Sequence, residues 1–294
     1  MSHVLKLKSY AKINLYLDIG PKLDDGYHRI DTIMQTVNLY DELFLEPIKT
    51  QGIFIQCNDR EVPVDKNSII YRTAEMLLAN TKKGIKVFLN KRIPIASGLG
   101  GGSSNIATIL IGINKLFKLS LDRSHLTDIA ANLGIDIPFF IIRGTVLARG
   151  RGEQIFPLKP IHPSLPLILV NPGIKILTKW AYHLYDQSFD KSNKPIKKIS
   201  HYLKKKEAIK PIEIYQTIYN SFDSVMIKEY PVIEQIKNML KDLGAIAATI
   251  SGSGSTVYGV FAERKQRDKC YSIIKDKYPF VYRTRTVQAR NIIF

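Results

Sequence analysis

Residues 94–105 read Pro-Ile-Ala-Ser-Gly-Leu-Gly-Gly-Gly-Ser-Ser-Asn, and no other stretch limits the fold of this chain so tightly. Gly98, Gly100, Gly101 and Gly102 admit backbone angles closed to other residues and leave their amides uncovered. Ser103, Ser104 and Asn105 stand where a helix begins, because Ile106, Ile109, Leu110, Ile113, Leu116 and Phe117 follow at helical spacing. A glycine loop that enters a helix start gathers unpaired N–H groups and the positive end of the helix dipole at one point. Phosphate is the natural occupant of such a point.

Spacing excludes the familiar phosphate loops. The dinucleotide pattern, started at Gly98, needs glycine where Ser103 stands. The Walker pattern needs a Gly-Lys pair, which the chain lacks. Protein kinases need His-Arg-Asp and Asp-Phe-Gly; His28-Arg29-Ile30-Asp31 only approaches the first, and the second is absent.

The 294 residues suffice for two domains of ordinary size. Residues 5–19 alternate, with Leu5, Leu7, Ser9, Ala11, Ile13, Leu15, Leu17 and Ile19 on one face, which predicts a half-buried strand or two strands broken near Ser9. Lys12 and Asn14 share its other face. Asp24-Asp25-Gly26 is a turn signal. Further strands are expected over 31–56, a helix from Asn67 or Ser68, a strand over 85–89, and a helix over 124–133 closed by Gly134. Gly144 to Arg149 reads as another strand. Pro157, Pro160, Pro163 and Pro166 mark a boundary, giving domains 1–160 and 161–294. Beyond it, strands over 167–170, 245–250, 256–261 and 280–287 alternate with helices near 178–185, 211–243 and 263–277. Without the extra helices this is βαββαβ, the ferredoxin-like split arrangement.

No apolar run approaches the ~18 residues that span a bilayer, and the N-terminus carries no apolar signal core. Cys57 and Cys270 lack metal-type spacing, so free thiols in a reducing cytoplasm are expected. The net charge of +17 has three readings: a nucleic-acid partner, attraction of a polyphosphate substrate, or lysines spread over the surface. Eight lysines between 191 and 210 stand with only Tyr202 as an aromatic neighbour, which reads as a solvated insertion rather than a binding platform. Nucleic acid is therefore the weaker reading.

The pattern Pro-x-x-x-Gly-Leu-Gly-Gly-Gly-Ser-Ser resembles the ATP-phosphate loop of the superfamily of small-molecule kinases named for galactokinase, homoserine kinase, mevalonate kinase and phosphomevalonate kinase. Ser9-Tyr-Ala-Lys-Ile-Asn-Leu, Asp25-Gly-Tyr-His, Gly134-Ile-Asp-Ile-Pro-Phe-Phe and Ser251-Gly-Ser-Gly-Ser follow in the same order and at similar spacing. Together they resemble the 4-diphosphocytidyl-2-C-methyl-D-erythritol kinase family from Lys8 to about Phe261. The resemblance implies an α+β two-domain kinase fold, with an N-terminal domain like the second domain of ribosomal protein S5 and a ferredoxin-like C-terminal domain. It implies ATP-dependent phosphorylation of the 2-hydroxyl of 4-diphosphocytidyl-2-C-methyl-D-erythritol in the non-mevalonate isoprenoid pathway. A sister kinase of the homoserine or mevalonate type is the first alternative, and a non-catalytic nucleic-acid-binding protein the second.

Residue by residue, the resemblance gives Asp136 the hydroxyl proton and Lys12 the task of holding Asp136 ionised and stabilising the developing charge. The competing structural reading of Asp136 is a helix N-cap ahead of Pro138. ATP is expected on Pro94, Ile95, Ala96, Ser97, Gly98, Leu99, Gly100, Gly101, Gly102, Ser103 and Ser104, with Lys91 upstream. Asn14, Tyr27, His28, Thr178 and Tyr182 are implied as acceptor contacts, Tyr27 and His28 meeting the cytosine. Ser251, Gly252, Ser253 and Gly254 resemble the third glycine motif, which closes on the phosphates from the second domain. The family often has Ala where Ser97 stands and Asp where Asn105 stands, and Asn67-Ser68-Ile69 departs from its usual adenine-side helix start. No acidic residue stands out as a metal ligand, so Mg²⁺ is expected to arrive with ATP. A monomer or weak homodimer with no membrane contact is the expected state.

Overall fold

Strands β1 (Leu5–Lys22) and β2 (His28–Ile48) form a long antiparallel ribbon on which the N-terminal half is assembled. The computed structural model describes residues 4–79, 81–188 and 199–289. Next come β3 (Ile53–Cys57), α1 (Ile69–Leu78), β4 (Gly84–Asn90), α2 (Gly101–Phe117), α3 (Arg123–Leu133), α4 (Ile137–Ile142), β5 (Thr145–Arg149) and β6 (Gln154–Pro157). The remainder is β7 (Pro166–Asn171), α5 (Thr178–Ser188), α6 (Pro211–Tyr215), β8 (Tyr219–Asn220), α7 (Asp223–Glu229), α8 (Val232–Asp242), β9 (Ala247–Ile250), β10 (Val257–Val260), α9 (Arg264–Ile274) and β11 (Phe280–Arg285).

Two sheets result. The larger runs β3-β4-β2-β1-β8, with β5 paired to β2 and β6 to β5. The smaller runs β11-β7-β10-β9 with every neighbouring pair antiparallel, the strand order of the ferredoxin-like arrangement. Helix α2 packs on the large sheet through Ile109 and Ile113 against Leu43, Leu45 and Leu89. Ala11, Ile13 and Leu15 on the same sheet meet Leu167, Leu169, Tyr258 and Val260 of the small one. The other face of the small sheet, with Ile168, Val170 and Val257, is covered by α5, α7, α8 and α9. Four layers, helices–sheet–sheet–helices, therefore bury both faces at the centre of the stack, while Phe54 of β3 and Phe88 of β4 leave that end of the large sheet exposed on one face.

This layering corrects the expectation of a half-buried β1, because every residue from Ser9 to Leu17 is buried. Alternation reports that one face is polar; here the small sheet docks on the apolar face at Ala11, Ile13 and Leu15, and Lys12 and Asn14 of the polar face are buried beneath Gly100 and Gly252. The register between β1 and β2 also shifts between Tyr10 and Lys12. Leu7 before the shift lies against Gly112 of α2, whereas Ala11 and Ile13 after it belong to the core between the sheets. A bulge of this kind re-aims all the side chains beyond it.

Three short elements escape periodicity: α4, β6, and β8, which adds residues 219–220 to the large sheet in parallel with β1. The lysine-rich stretch lies partly outside the described residues, at 191–198. In its later part Lys204, Lys206 and Lys210 are exposed as expected, but the segment is also anchored: Ile199, Tyr202 and Ile209 are buried, and the Tyr202 hydroxyl reaches Glu213 O and Thr217 Oγ1. Among the described residues no helix is long and apolar enough to cross a membrane.

Candidate functional site

The glycine loop owes its path to positive φ at Ala96 (49°), Gly98 (79°) and Gly100 (70°). Gly98 is required by sterics as well, since a Cβ there would fall on the Ser251 carbonyl oxygen. Three bonds stitch the loop to the second domain: Ser251 Oγ donates to Gly98 O at 2.9 Å, Ile176 N to Ala96 O at 3.1 Å and Thr256 N to Ser97 O at 3.2 Å. Gly100 then caps α2 without any side-chain bond. The first amides of α2 consequently have no partner within the helix and face the space above Gly102, around whose would-be Cβ nothing lies within 4 Å. That space is a cleft of about 640 Å³ between the domains.

Lys12 forms its floor. Its backbone N–H donates to Leu99 O at 2.9 Å, tying β1 to the loop. Its ammonium, almost fully buried, donates to Asn14 Oδ1 at 2.6 Å. Gly100 and Gly252 make room for it, because their would-be Cβ atoms lie 3.1 Å from Lys12 Cγ and Nζ respectively. Burial lowers the Lys12 pKa and the Asp136 carboxylate opposes that shift. Asp136 does occupy the N-cap position of α4, with Pro138 in the first turn, yet its side chain makes no capping bond. The carboxylate lines the cleft, half-buried, with the Lys12 charge in electrostatic reach.

Lys91, at the end of β4, is locked by a network that the sequence did not suggest. Asp41 of β2 is fully buried, and its Oδ2 accepts from Lys91 Nζ at 2.6 Å and Asn105 Nδ2 at 2.9 Å. Its Oδ1 accepts the backbone N–H groups of Arg92 (2.7 Å) and Ile93 (2.9 Å), the two residues that lead into the loop. Asn105 also donates to Ser9 Oγ, and Ser9 to Ser104 Oγ. Ser104 is thus a buried strut of α2, and Leu99 a core residue; neither lines the cleft, whereas Pro94 to Gly98, Gly100 to Ser103 and Lys91 all do. Of the third motif, Gly252 and Ser253 line the cleft, while Ser251 and Gly254 stand behind them.

Asn14, Thr178 and Tyr182 line the same cleft. Tyr27 and His28 lie at its margin instead of on its wall. Tyr27 is half exposed, with the Arg151 guanidinium 5.2 Å from its ring centre. The His28 ring stacks on Tyr182 at 5.4 Å and 20°. Its Nδ1 donates to Gly20 O at 2.9 Å, and its Nε2 lies 2.7 Å from Asp186 Oδ1 on α5. Both ring nitrogens are therefore engaged within the chain. Sequence reasoning missed Asp41, Thr32, Arg72, Phe222 and Asp186; Asp41 stands beside Glu42 in a strand that also carries Arg29, Asp31 and Glu46, so its charge alone did not single it out.

Two family models match the chain: GHMP kinases N terminal domain over residues 68–144, and GHMP kinases C terminal over residues 203–279. The 4-diphosphocytidyl-2-C-methyl-D-erythritol kinase of Clostridium botulinum (strain Alaska E43 / Type E3) is 36% identical over 96% of this chain and 100% of its own length. The enzyme of the same name from Caldanaerobacter subterraneus subsp. tengcongensis is 38% identical over 96% and 97%. A crystal structure of 4-(cytidine 5'-diphospho)-2C-methyl-D-erythritol kinase superposes with a TM-score of 0.78 at 27% identity, over 96% of this chain and 99% of that one. A homoserine kinase from Cytophaga hutchinsonii, at 16% identity, shares the fold with a TM-score of 0.72. Motifs, layering and near full-length similarity agree, and the chain belongs to the 4-diphosphocytidyl-2-C-methyl-D-erythritol kinase family.

Proposed function

We propose that this chain transfers the γ-phosphoryl group of ATP to the 2-hydroxyl of 4-diphosphocytidyl-2-C-methyl-D-erythritol. The observation that carries this is the pairing, beside the first turn of α2, of a buried Lys12 ammonium with an Asp136 carboxylate left free of capping duty. Residues 1–160 supply this pair and the loop, and residues 161–294 cover them with the 251–255 turn.

The uncapped amides of α2 and the loop hold the triphosphate, whose charge they complement. Asp136 takes the proton of the acceptor hydroxyl as its oxygen bonds to the γ-phosphorus and the bond to the ADP oxygen breaks. Lys12 lies within electrostatic reach of Asp136 and attracts the charge that spreads over the phosphoryl oxygens during transfer. Asn14, Thr178 and Tyr182 border the acceptor. Mg²⁺ would accompany the nucleotide and neutralise part of its phosphate charge. The acidic side chains on the cleft are Asp136 and Glu61, and Glu61 is paired with Lys175. A divalent ion bound chiefly by phosphate oxygens, with Asp136 the nearest protein carboxylate, fits that donor set and would neutralise phosphate charge. The expected state is a cytoplasmic monomer or weak homodimer acting on small molecules.

A coupled assay of ADP release with the cytidyl acceptor, homoserine and mevalonate as parallel substrates tests the reading. Turnover with the first and none with the others is expected, and Asp136→Ala should abolish it while nucleotide binding persists. Preference for homoserine or mevalonate would reassign the enzyme to a sister kinase.

A further inference from the structure

The acceptor of the Lys12 ammonium is itself held by a hydrogen-bond chain that runs in one direction. Thr32 Oγ1 lies 2.6 Å from the Tyr16 carbonyl oxygen. A carbonyl only accepts, so the single hydroxyl proton of Thr32 is committed there. The Thr32 oxygen must then accept, and Asn14 Nδ2 donates to it at 2.9 Å. This fixes which end of the Asn14 amide faces Lys12: Oδ1 accepts from Nζ at 2.6 Å. Turning the amide over would set its NH₂ against the ammonium and its oxygen against the Thr32 lone pair, losing both bonds in a buried site. All three side chains are at least 96% buried, at 4%, 4% and 1% exposure for Lys12, Asn14 and Thr32, so water is poorly placed to substitute.

The strand geometry makes this reach possible. Thr32 pairs with Leu17 in the ladder and Asn14 with Met34, and the register shifts between Asn14 and Tyr16. That irregularity brings the Thr32 hydroxyl back to Tyr16 O and Asn14 together. The charged group facing Lys12 is Asp136, from the start of α4. The loop 94–104 and the turn 251–255 pack against Lys12 with no ionisable side chain, and on α5 the phenol nearest Asp136 is Tyr182.

We infer that Thr32 is a positioning residue for phosphoryl transfer: its hydroxyl orients the Asn14 amide, and the amide oxygen holds the Lys12 ammonium toward Asp136. This rests on the kinase reading of the same site, and it adds the residue that sets the orientation of the catalytic cation. Thr32 borders the cleft but bonds Asn14 and the Tyr16 carbonyl rather than the ammonium, so its effect on Lys12 passes through Asn14.

Thr32→Val keeps the shape and removes the hydroxyl, and Thr32→Ser keeps the hydroxyl. In Thr32→Val, kcat is expected to fall by about tenfold or more, with KM for ATP little changed. Its alkaline limb should move to lower pH, since an ammonium without its acceptor loses a proton more readily. Thr32→Ser restores both. In an Asn14→Ala background, adding Thr32→Val should change kcat less than about twofold, the non-additivity of residues acting as a unit. A second measurement needs no turnover: competitive acetylation of Lys12 across pH, read by mass spectrometry, should begin at lower pH in Thr32→Val and not in Thr32→Ser. An unshifted onset overturns the inference whether or not the protein phosphorylates the cytidyl acceptor, and so do equal defects in the Val and Ser variants. A wild-type protein inert toward that acceptor, with the onset shifted, would overturn the activity reading alone.

Discussion

Asp41 Oδ2 and Lys91 Nζ meet at 2.6 Å with the carboxylate fully buried and the ammonium side chain 6% exposed. The carboxylate accepts four hydrogen bonds in all, two from side chains and two from the backbone that enters the glycine loop. Lys91 borders the first residue of α2, since a Cβ on Gly101 would lie 3.0 Å from its Nζ. Because Asp41 neutralises it, the proposed role of Lys91 toward a nucleotide is that of an aimed donor more than of net charge.

Breaking such a pair from one side leaves a buried charge uncompensated, at a cost of about 3–5 kcal/mol. Asp41→Asn should therefore lower the thermal midpoint and raise KM for ATP more than it lowers kcat. Combining it with Lys91→Met removes the stranded cation and should recover much of the midpoint while ATP affinity stays impaired. Differential scanning fluorimetry alongside steady-state kinetics separates the two effects; a double variant no more stable than Asp41→Asn would refute this account of the pair.

Asp41 also marks the limit of what the sequence made legible. The loop, its helix and the ferredoxin-like half follow from glycine spacing and apolar periodicity, which are local signals. Lys12 and Asp136 emerged only because their neighbours form short motifs that could be matched. Asp41, Thr32 and Asp186 act through partners 18 to 158 positions away, such as Lys91, Asn14 and His28, and nothing within a short window records such a partner. The polar face of β1 was visible, but its burial was not, because Lys12 and Asn14 are covered by turns distant in sequence, at Gly100 and Gly252.

In the proposed mechanism Lys12 carries a charge that transfer uses and that the fold would be more stable without. Its pKa is lowered by burial, so the unfolded chain holds the proton more tightly than the folded one. Below the folded pKa both states are protonated and the full desolvation penalty stands. As pH rises from the folded value toward the ordinary 10.5, folding releases the proton and this penalty is relieved. Activity moves the other way, because transfer needs the ammonium. Lys12→Met should thus abolish turnover yet raise the thermal midpoint at neutral pH by a few degrees, roughly 2–4 °C per kcal/mol regained. The gain should shrink on titration toward pH 10; a midpoint below wild type at neutral pH would contradict the assignment of burial as the dominant influence on Lys12.

On the acceptor side, Asp186 receives both His28 Nε2 and Lys22 Nζ, the latter at 3.0 Å, joining the first domain to α5. Burial pushes the Asp186 carboxyl up, but Lys22 and His28 outweigh it and leave it below the usual carboxylate range. Asp186→Ala frees the His28 ring and loosens its stack on Tyr182. KM for the cytidyl acceptor should rise several-fold with KM for ATP unchanged, a split read by varying each substrate in turn. Equal changes in both constants would point to a general loosening of the domains instead.

Two glycines four residues apart in the loop should respond to alanine in opposite ways. At Gly98, φ of 79° is unfavourable for alanine, and the added methyl would fall on the Ser251 carbonyl with Gly254 O beside it. Backbone has to move, and the Ser251–Gly98 bond that joins the domains has to lengthen. Gly98→Ala should lower the thermal midpoint and expose the domain boundary to limited proteolysis. Gly102 lies in the first turn of α2, exposed, with nothing within 4 Å of the added methyl. Alanine there favours the helix by about 0.5–1 kcal/mol, so the midpoint should hold or rise. The methyl instead enters the space in which the triphosphate meets the α2 amides, and KM for ATP should increase strongly. Isothermal titration with a non-hydrolysable ATP analogue, set beside the thermal midpoints, distinguishes a lost fold from an obstructed site; unaltered nucleotide affinity in Gly102→Ala would remove the helix start as the phosphate seat.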